Sequence, residues 1–163
     1  MNNINNLKLA FLGVSHWHVP LYLEAVKTEG LCVAAVSDPD PACAERVGRE
    51  LGCSAYTDAL ELMDKEKPDF VFAFDMHCRM PALAEAIIER KIPFSIEKPL
   101  GLKMEDARHI QELAEKNHVF CAIPFIWRYS ALVKELRENM KPEDFVNFSF
   151  IFTAGPPSRY EKT

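Results

Sequence analysis

The residues best placed to do chemistry in this sequence are Glu97 and Lys98, which follow an apolar run at 92–96 and precede Pro99. A lysine at the carboxyl end of a parallel strand faces the crevice where α/β proteins bind ligands, and the proline fixes the backbone just after it. An ammonium there could donate to a hydroxyl group, stabilise its alkoxide and share in proton transfer. The alternative is an ordinary surface Glu-Lys pair, which contributes little. The spacing alone leaves both interpretations open.

A second candidate is the segment GVSHWH at 13–18, which joins an apolar run to a helical pattern. A dinucleotide-binding fingerprint has glycines at three places in such a turn, and here Gly13 is kept while Ser15 and His18 fill the other two. Gly13 can form the tight turn, and the helix N-terminus offers N–H groups and a positive dipole to a pyrophosphate. The side chain of His18 must then point away, or the helix must shift.

Asp38 ends the second apolar run. A carboxylate at this place can accept both hydroxyls of an adenosine ribose and repels a 2′-phosphate, which predicts NAD rather than NADP. The alternative is a cap for the helix that begins after Pro39, because Asp-Pro-Asp-Pro is equally typical of a helix start.

Three histidines, His16, His18 and His77, could meet above the same crevice, with Asp75 and Cys78 nearby. Clusters of histidine and carboxylate can hold a divalent metal or anchor an acidic substrate. The plainer interpretation is that these residues hydrogen-bond loop backbone or meet phosphate. We therefore predict no metal site.

The elements that must position these residues follow from an alternation of apolar runs and helical patterns. Predicted strands cover 7–13, 31–37, 54–56, 69–74, 92–96 and 119–123. Predicted helices cover 18–28, 41–51, 59–65, 81–90, 104–116 and 130–138. Nearly continuous apolar strands indicate a sheet covered on both faces, with parallel strands joined by helical crossovers. The predicted fold class is α/β, a doubly wound parallel sheet of the Rossmann type.

The pattern predicts three segments: a disordered tail at 1–6, a dinucleotide-binding domain at 7–140, and the start of a truncated C-terminal α/β substrate domain at 141–163. Within the last of these, Phe145–Thr153 partly alternates and is predicted to be the first strand of that second domain. A lone aromatic strand is unstable and prone to aggregate. We therefore expect a fragment whose second domain is missing; the alternative is a strand that joins a partner's sheet.

Charge and composition exclude several classes of protein. The net charge is −5 at pH 7, with acidic and basic residues interspersed, so we expect neither nucleic acid nor an anionic membrane as partner. No run approaches the roughly 18 apolar residues of a membrane span, and the polar start carries no signal core, which predicts a cytoplasmic protein. The five cysteines form no C-x-x-C pair, as expected of small buried thiols in a reducing compartment.

The segment KIPFSIEKPLG at 91–101 resembles G-K-H-V-x-x-E-K-P-L-A of the Gfo/Idh/MocA family. That family is named for glucose–fructose oxidoreductase, inositol dehydrogenase and rhizopine catabolism. The similarity extends upstream through Asp38 and Asp69, and downstream to Arg128, where WRY is similar to the family's R-F/Y motif. It covers residues 7–140, the whole predicted nucleotide-binding domain.

The resemblance implies a two-domain enzyme that transfers hydride between NAD(P) and a sugar, polyol or related hydroxyl compound. In the family the motif lysine contacts nicotinamide ribose and substrate, which carries to Lys98 as the catalytic residue. The motif arginine lines the same crevice, which carries to Arg128. The family's catalytic histidine and neighbouring acid lie in the second domain, so this chain alone should be inactive. We expect the full-length protein to be a homo-oligomer.

The sequence also departs from the family pattern. After the fourth strand the family's T-P-x-x-x-H is replaced by DMHCRM, so Asp75 and Met76 stand where Thr-Pro lies against the cofactor. The altered glycine loop keeps two alternatives open, a nucleotide-binding or sensing protein without turnover and a domain that serves only in assembly. The candidate residues for binding the cofactor, NAD in preference to NADP, are Gly13, Ser15, His16, Asp38, Asp75, Glu97, Lys98 and Arg128.

Overall fold

The computed structural model describes residues 7–144, 146, 147, 149 and 151, within which strands and helices alternate as the sequence predicts. The strands are β1 Leu9–Leu12, β2 Val33–Ser37, β3 Ser54–Tyr56, β4 Phe70–Ala73, β5 Phe94–Ile96 and β6 Cys121–Ala122. The helices are α1 Val19–Thr28, α2 Pro41–Leu51, α3 Ala59–Glu66, α4 Met80–Glu89, α5 Met104–Asn117 and α6 Ala131–Asn139. Every strand except β3 is shorter than predicted, because the apolar runs continue into the loops.

The strands of the described residues form one sheet in the order β3-β2-β1-β4-β5-β6, with every neighbouring pair parallel. The first strand, β1, lies at the centre of the sheet. The strands β2 and β3 follow on one side of it, and β4, β5 and β6 follow on the other side. The strand order therefore reverses between β1 and β4. Ligands of such sheets bind outside the carboxyl ends of the strands, beside this reversal. The doubly wound, Rossmann-like prediction is confirmed.

Helices cover both faces of the sheet. Along β1, Ala10 and Leu12 pack into the hydrophobic cluster that includes buried residues of α3, α4 and α5. The alternate residues Leu9 and Phe11 pack into a second cluster with buried residues of α1 and α2. Because successive side chains of a strand point to opposite faces, a strand that is buried throughout requires a layer on each side.

Gly13 allows the loop between β1 and α1 to lie against the end of β4. Its φ is +80°, and a Cβ atom built on it would lie 2.1 Å from the carbonyl oxygen of Phe74. Helix α1 then begins at the edge of the sheet where the parallel strands end, with Pro20 in its first turn, where a missing N–H costs nothing. The first predicted glycine of the fingerprint is thus required by packing as well as by backbone conformation.

The chain divides into two compact units, Met1–Pro124 and Phe125–Thr163. The described part of the second unit contains α6 and two 3₁₀ turns, Ile126–Tyr129 and Pro142–Asp144. Most of the predicted strand Phe145–Thr153 and the whole predicted tail at 1–6 lie outside the described residues. The described residues of that segment do not form a strand; they are Val146, Asn147, Ser149 and Ile151. The predicted domain boundary at 140–141 stays a prediction.

Two further observations bear on the composition. Among the described residues, no helix combines the length and the apolar character that crossing a membrane requires.

The five cysteines are free, but the expectation of buried thiols is wrong, because Cys32 and Cys78 are exposed and the other three are half-buried. Both exposed thiols lie in loops at the ends of the layers rather than in strands or helices.

We expect Gly13→Ala to lower the free energy of unfolding by about 3 kcal/mol or more, because a left-handed backbone costs about 1–2 kcal/mol and the new Cβ meets a carbonyl oxygen. Gly30→Ala is the matched control, since Gly30 also has a positive φ, +68°, but its Cβ would meet nothing within 4 Å. That variant should lose only about 1 kcal/mol. Equal losses in urea unfolding would contradict the packing argument.

Candidate functional site

The loop between β1 and α1 is tied to the end of β2 by its own backbone. The N–H groups of Gly13 and Val14 donate to the carbonyl oxygen of Ser37 at 2.8 and 3.2 Å. The N–H of Ser15 donates to Oδ2 of Asp38 at 2.6 Å. The N–H of His16 donates to the carbonyl oxygen of Gly13 at 3.2 Å. The amides expected to face a pyrophosphate are thus largely bonded within the protein, Ser15 included.

Asp38 is a buried carboxylate, 2% exposed, at the carboxyl end of β2. Besides Ser15, it accepts the N–H of Asp40 at Oδ1, 3.0 Å away. The cap of α2 is Asp40 itself, whose Oδ1 accepts the N–H of Ala42 at 3.0 Å. The helix-cap alternative is therefore wrong for Asp38. A carboxylate offers about four acceptor sites, so the two bonds to the backbone leave capacity for ribose hydroxyls.

His16 and His18 are joined by a local hydrogen bond. The backbone N–H of His18 donates to Nδ1 of His16 at 3.2 Å. The ring of His16 lies 5.4 Å from the ring of Phe74 and 5.2 Å from that of His18, measured between centroids. Because Nδ1 accepts, the neutral imidazole of His16 carries its proton on Nε2. That Nε2–H is the donor that His16 offers to a ligand.

The pKa of His16 is lowered from its usual 6.5, chiefly by burial. The Glu97 carboxylate opposes this shift, whereas the charges of His18, His77 and Lys98 lower the pKa further. The predicted histidines and the lysine therefore lie within electrostatic range of one another at this edge of the sheet. The lowered pKa favours the neutral form of His16, whose proton lies on Nε2.

Glu97 is a second buried carboxylate, 3% exposed, just after β5. Its Oε1 accepts the hydroxyl of Tyr22 at 2.7 Å, and its Oε2 accepts the backbone N–H of Lys98 at 3.0 Å. The buried Nδ1 of His18 lies 3.1 Å from Oε1 without an aligned hydrogen bond. Burial, followed by the bond to Glu97, raises the pKa of Tyr22 above its usual 10, so the phenol stays a donor.

Tyr22 is the residue that the sequence reasoning missed. It lies four residues after His18 on the same face of α1, and both side chains reach Glu97. That spacing was the available signal, because residues four apart are neighbours on a helix surface. Without the strand order, nothing in the sequence placed this face of α1 against the end of β5.

Lys98 is exposed, although Glu97 next to it is buried. Its peptide bond to Pro99 is cis. An ordinary surface pair would have both side chains in solvent, so that alternative is wrong for Glu97 and Lys98. The two charges instead face opposite environments, with the carboxylate inside the protein and the ammonium outside it.

Asp75 follows β4, and its carboxylate is used locally. Its Oδ1 accepts from Arg79 at 2.9 Å from Nε and 2.5 Å from Nη2, as well as from the N–H of Met76 at 2.7 Å. These bonds order the turn that leads into α4. His77 and Cys78 are exposed in the same turn. The role of Asp75 toward a cofactor stays a prediction.

Arg128 belongs to the second compact unit, where it is exposed in the 3₁₀ turn Ile126–Tyr129. Its role toward a cofactor also stays a prediction. Among the described residues, no group of three or more histidine, cysteine or acidic side chains is arranged to hold a metal ion.

The residues present fit a dinucleotide in its main requirements. The Gly13 turn leads directly into the N-terminus of α1, and the buried Asp38 has acceptor sites to spare. The fit differs from the usual one at Ser15, whose N–H is already bonded to Asp38. Two donors that this loop offers to phosphate oxygens are the exposed hydroxyl side chain of Ser15 and the Nε2–H of His16.

Several solved structures share this fold. One is an oxidoreductase from Agrobacterium radiobacter in complex with NAD+, L-tartaric acid and magnesium, which is 26% identical over 81% of this chain with a TM-score of 0.74. Another is the WlbA dehydrogenase from Chromobacterium violaceum in complex with NADH and UDP-GlcNAcA, 17% identical over 90% of this chain with a TM-score of 0.79. A third is myo-inositol 2-dehydrogenase from Lactobacillus plantarum, 20% identical over 82% of this chain with a TM-score of 0.73.

This chain spans 40%, 42% and 41% of the lengths of those three proteins. A search of curated proteins found no match to it. The family model described as an oxidoreductase family with an NAD-binding Rossmann fold matches residues 7–125, which is most of the chain. The sequence resemblance, the sheet order and this match agree, and the chain belongs to the Gfo/Idh/MocA family of NAD-binding oxidoreductases.

Proposed function

We propose that this chain is the cofactor-binding part of an NAD-dependent dehydrogenase that transfers hydride to or from a sugar, polyol or related hydroxyl compound. The observation that carries the proposal is the exposed Lys98 beside the buried, hydrogen-bonded Glu97. Both follow β5, at the same edge of the sheet as the Gly13 loop and Asp38. A cation at that edge is suited to bind an oxygen that gains negative charge.

In this proposal each residue of the edge has a separate task. NAD, when bound, supplies the acceptor or donor of the hydride. The hydroxyl of Ser15 and the Nε2–H of His16 bind the pyrophosphate beside α1, and Asp38 accepts from the adenosine ribose. Lys98 donates to the reacting oxygen of the substrate and shares in moving the proton at that oxygen. Asp75 adds a further contact with the cofactor.

The substrate class is supported by the relatives and by the chemistry of Lys98. One relative is a myo-inositol 2-dehydrogenase, and another solved structure of this fold is scyllo-inositol dehydrogenase from Lactobacillus casei, 18% identical with a TM-score of 0.74. An ammonium recognises hydroxyl and carbonyl oxygens alike, as oxidation of an alcohol requires. We expect the full-length enzyme to act as a homo-oligomer.

A second candidate function is nucleotide binding or sensing without turnover. The observation that favours it is the bonding of the loop amides of Gly13, Val14 and Ser15 within the chain. The sequence of the full-length protein separates the two functions. A second domain that bears a histidine and a neighbouring acid supports a dehydrogenase, and its absence supports sensing.

We expect Asp38→Asn to improve binding of NADPH relative to NADH by about tenfold, because it removes a negative charge that repels the 2′-phosphate. Titration of the fluorescence of each reduced cofactor gives the ratio of dissociation constants. Asp40→Asn is the matched control, since asparagine caps a helix as well as aspartate does and the same charge is lost two residues away. An unchanged ratio in Asp38→Asn, or absence of NADH binding by the wild type at millimolar concentration, would contradict the proposal.

In the full-length protein, Lys98→Ala should lower turnover of polyols and sugars by about 10²- to 10⁴-fold, the usual contribution of a group that assists proton transfer. The dissociation constant of NADH should rise by about threefold or less, because most of the cofactor's contacts remain. Lys116→Ala, which removes an exposed lysine from the last turn of α5, is the control. Equal losses of turnover and of affinity in Lys98→Ala would remove its role at the reacting oxygen.

The free energy of unfolding should fall as the pH drops below 6.5, because the folded protein lowers the pKa of His16 while the unfolded chain does not. Between the pKa of the unfolded chain, 6.5, and the lower pKa of the folded protein, the unfolded state binds more protons than the folded state. Acid therefore favours unfolding throughout this range of pH. His16→Asn should lose this part of the pH dependence, since its amide oxygen can still accept the N–H of His18 but does not titrate. Identical pH profiles for the two proteins in urea unfolding would show the assignment to be wrong.

A further inference from the structure

The carboxylate of Glu97 connects the start of α1 with the segment that follows β5, about eighty residues later in the sequence, which makes it a long-range tertiary contact. One oxygen meets Tyr22, 2.7 Å away, and His18, 3.1 Å away, both in the region where α1 begins. The other oxygen meets the backbone N–H of Lys98 at 3.0 Å. The backbone of Glu97 is fixed in turn, because its N–H donates to the carbonyl oxygen of Ala73 at 3.0 Å.

Burial of this carboxylate is expensive unless its partners compensate for the lost water. An apolar side chain of similar volume would fill the same space without that cost. The interaction therefore calls for a role that packing alone does not explain. Its partners suggest one, because the carboxylate that receives the bond from Tyr22 on α1 also accepts the backbone N–H of Lys98.

We propose that Tyr22 and His18 are positioning residues for Lys98, which they orient through the carboxylate of Glu97. This inference rests on the proposed function of Lys98 at the reacting oxygen. The hydroxyl of Tyr22 donates to Oε1 and the imidazole of His18 packs beside it, so together they limit the rotation of the Glu97 side chain. Oε2 then stays beside the N–H of Lys98 and fixes the direction in which the lysine side chain leaves the backbone. The loop that binds pyrophosphate and the lysine are thereby set as one unit.

The ring of Tyr22 is independently held in place. It makes edge contacts with Phe72 and Phe74, with centroids 5.7 and 5.1 Å apart. Tyr22→Phe therefore keeps the packing and removes only the hydroxyl that donates to Glu97. A matched control exists on the other side of the sheet, where the hydroxyl of Tyr56 donates to Oε1 of Glu66 at 2.6 Å. Tyr56→Phe deletes the same kind of bond far from Lys98.

The first test is hydrogen exchange of backbone amides, followed by NMR on the full chain without cofactor. Tyr22→Phe should speed exchange at the amide of Lys98 by about tenfold, as expected when a bond to a charged group is weakened. The amide of Phe94, bonded to Phe120 at 3.0 Å within the sheet, should not change. Tyr56→Phe should leave Lys98 as in the wild type. If Tyr22→Phe speeds exchange at all amides, or does not speed exchange at the amide of Lys98, the proposal is overturned.

The second test is a double-mutant cycle on the dissociation constant of NADH, measured by fluorescence. Tyr22→Phe and Lys98→Ala should each weaken binding by about threefold, and the combination should also weaken it by about threefold, because Tyr22 acts only through Lys98. A loss of about ninefold in the double variant would mean that the two act independently. That result would leave Tyr22 a purely structural residue and overturn the proposal.

A further variant guards against failure of Tyr22→Phe to fold. His18→Gly returns a glycine to the third place of the fingerprint, at a helix N-cap that accepts glycine, and it should also speed exchange at Lys98. The two proposals fail separately. A wild type that binds no NADH refutes the proposed function, while exchange at Lys98 still decides whether α1 positions the lysine.

Discussion

The edge of the sheet where the strands end is organised by the cost of burying negative charge. Asp38 and Glu97, 2% and 3% exposed, lie just after β2 and β5 at the same edge of the sheet. A buried carboxylate without donors is destabilising by several kcal/mol, so each must be surrounded by N–H and O–H groups. Each carboxylate accepts one local backbone N–H, from Asp40 or Lys98, and one donor from the region after β1, the N–H of Ser15 or the hydroxyl of Tyr22 on α1. These two carboxylates thus connect the segments that follow β1, β2 and β5.

This arrangement explains why the chain tolerates His18 where the fingerprint has glycine. A glycine at that place normally allows a helix to pack closely on the sheet. Here an imidazole takes the space, and its buried Nδ1 lies beside the Glu97 carboxylate. The imidazole at the place of the glycine and the buried acid are therefore neighbours, and the carboxylate is satisfied separately by Tyr22 and by the N–H of Lys98.

The sequence was sufficient to predict the layers of the fold, because buried parallel strands leave continuous apolar runs and helices leave a different period. It also predicted that Asp38 and Lys98 lie at the ends of strands, because each follows an apolar run in the sequence. It could not show the burial of Glu97 or the part played by Tyr22, since both follow from the position of α1 beside β5 in space. Nor could it show that Ser15 donates its N–H to Asp38, a contact that depends on the detailed course of the loop.

The bond from Ser15 to Asp38 has a consequence for the thermodynamics of association. A loop whose amides are already bonded within the protein is ordered before any ligand arrives. Its conformational entropy is lost on folding, so less of it is lost when a ligand binds. The same bonding leaves fewer unpaired amides to contribute enthalpy. In the proposed binding of NAD, this loop therefore contributes through its shape and side chains, with a smaller heat of binding than an open glycine loop would give.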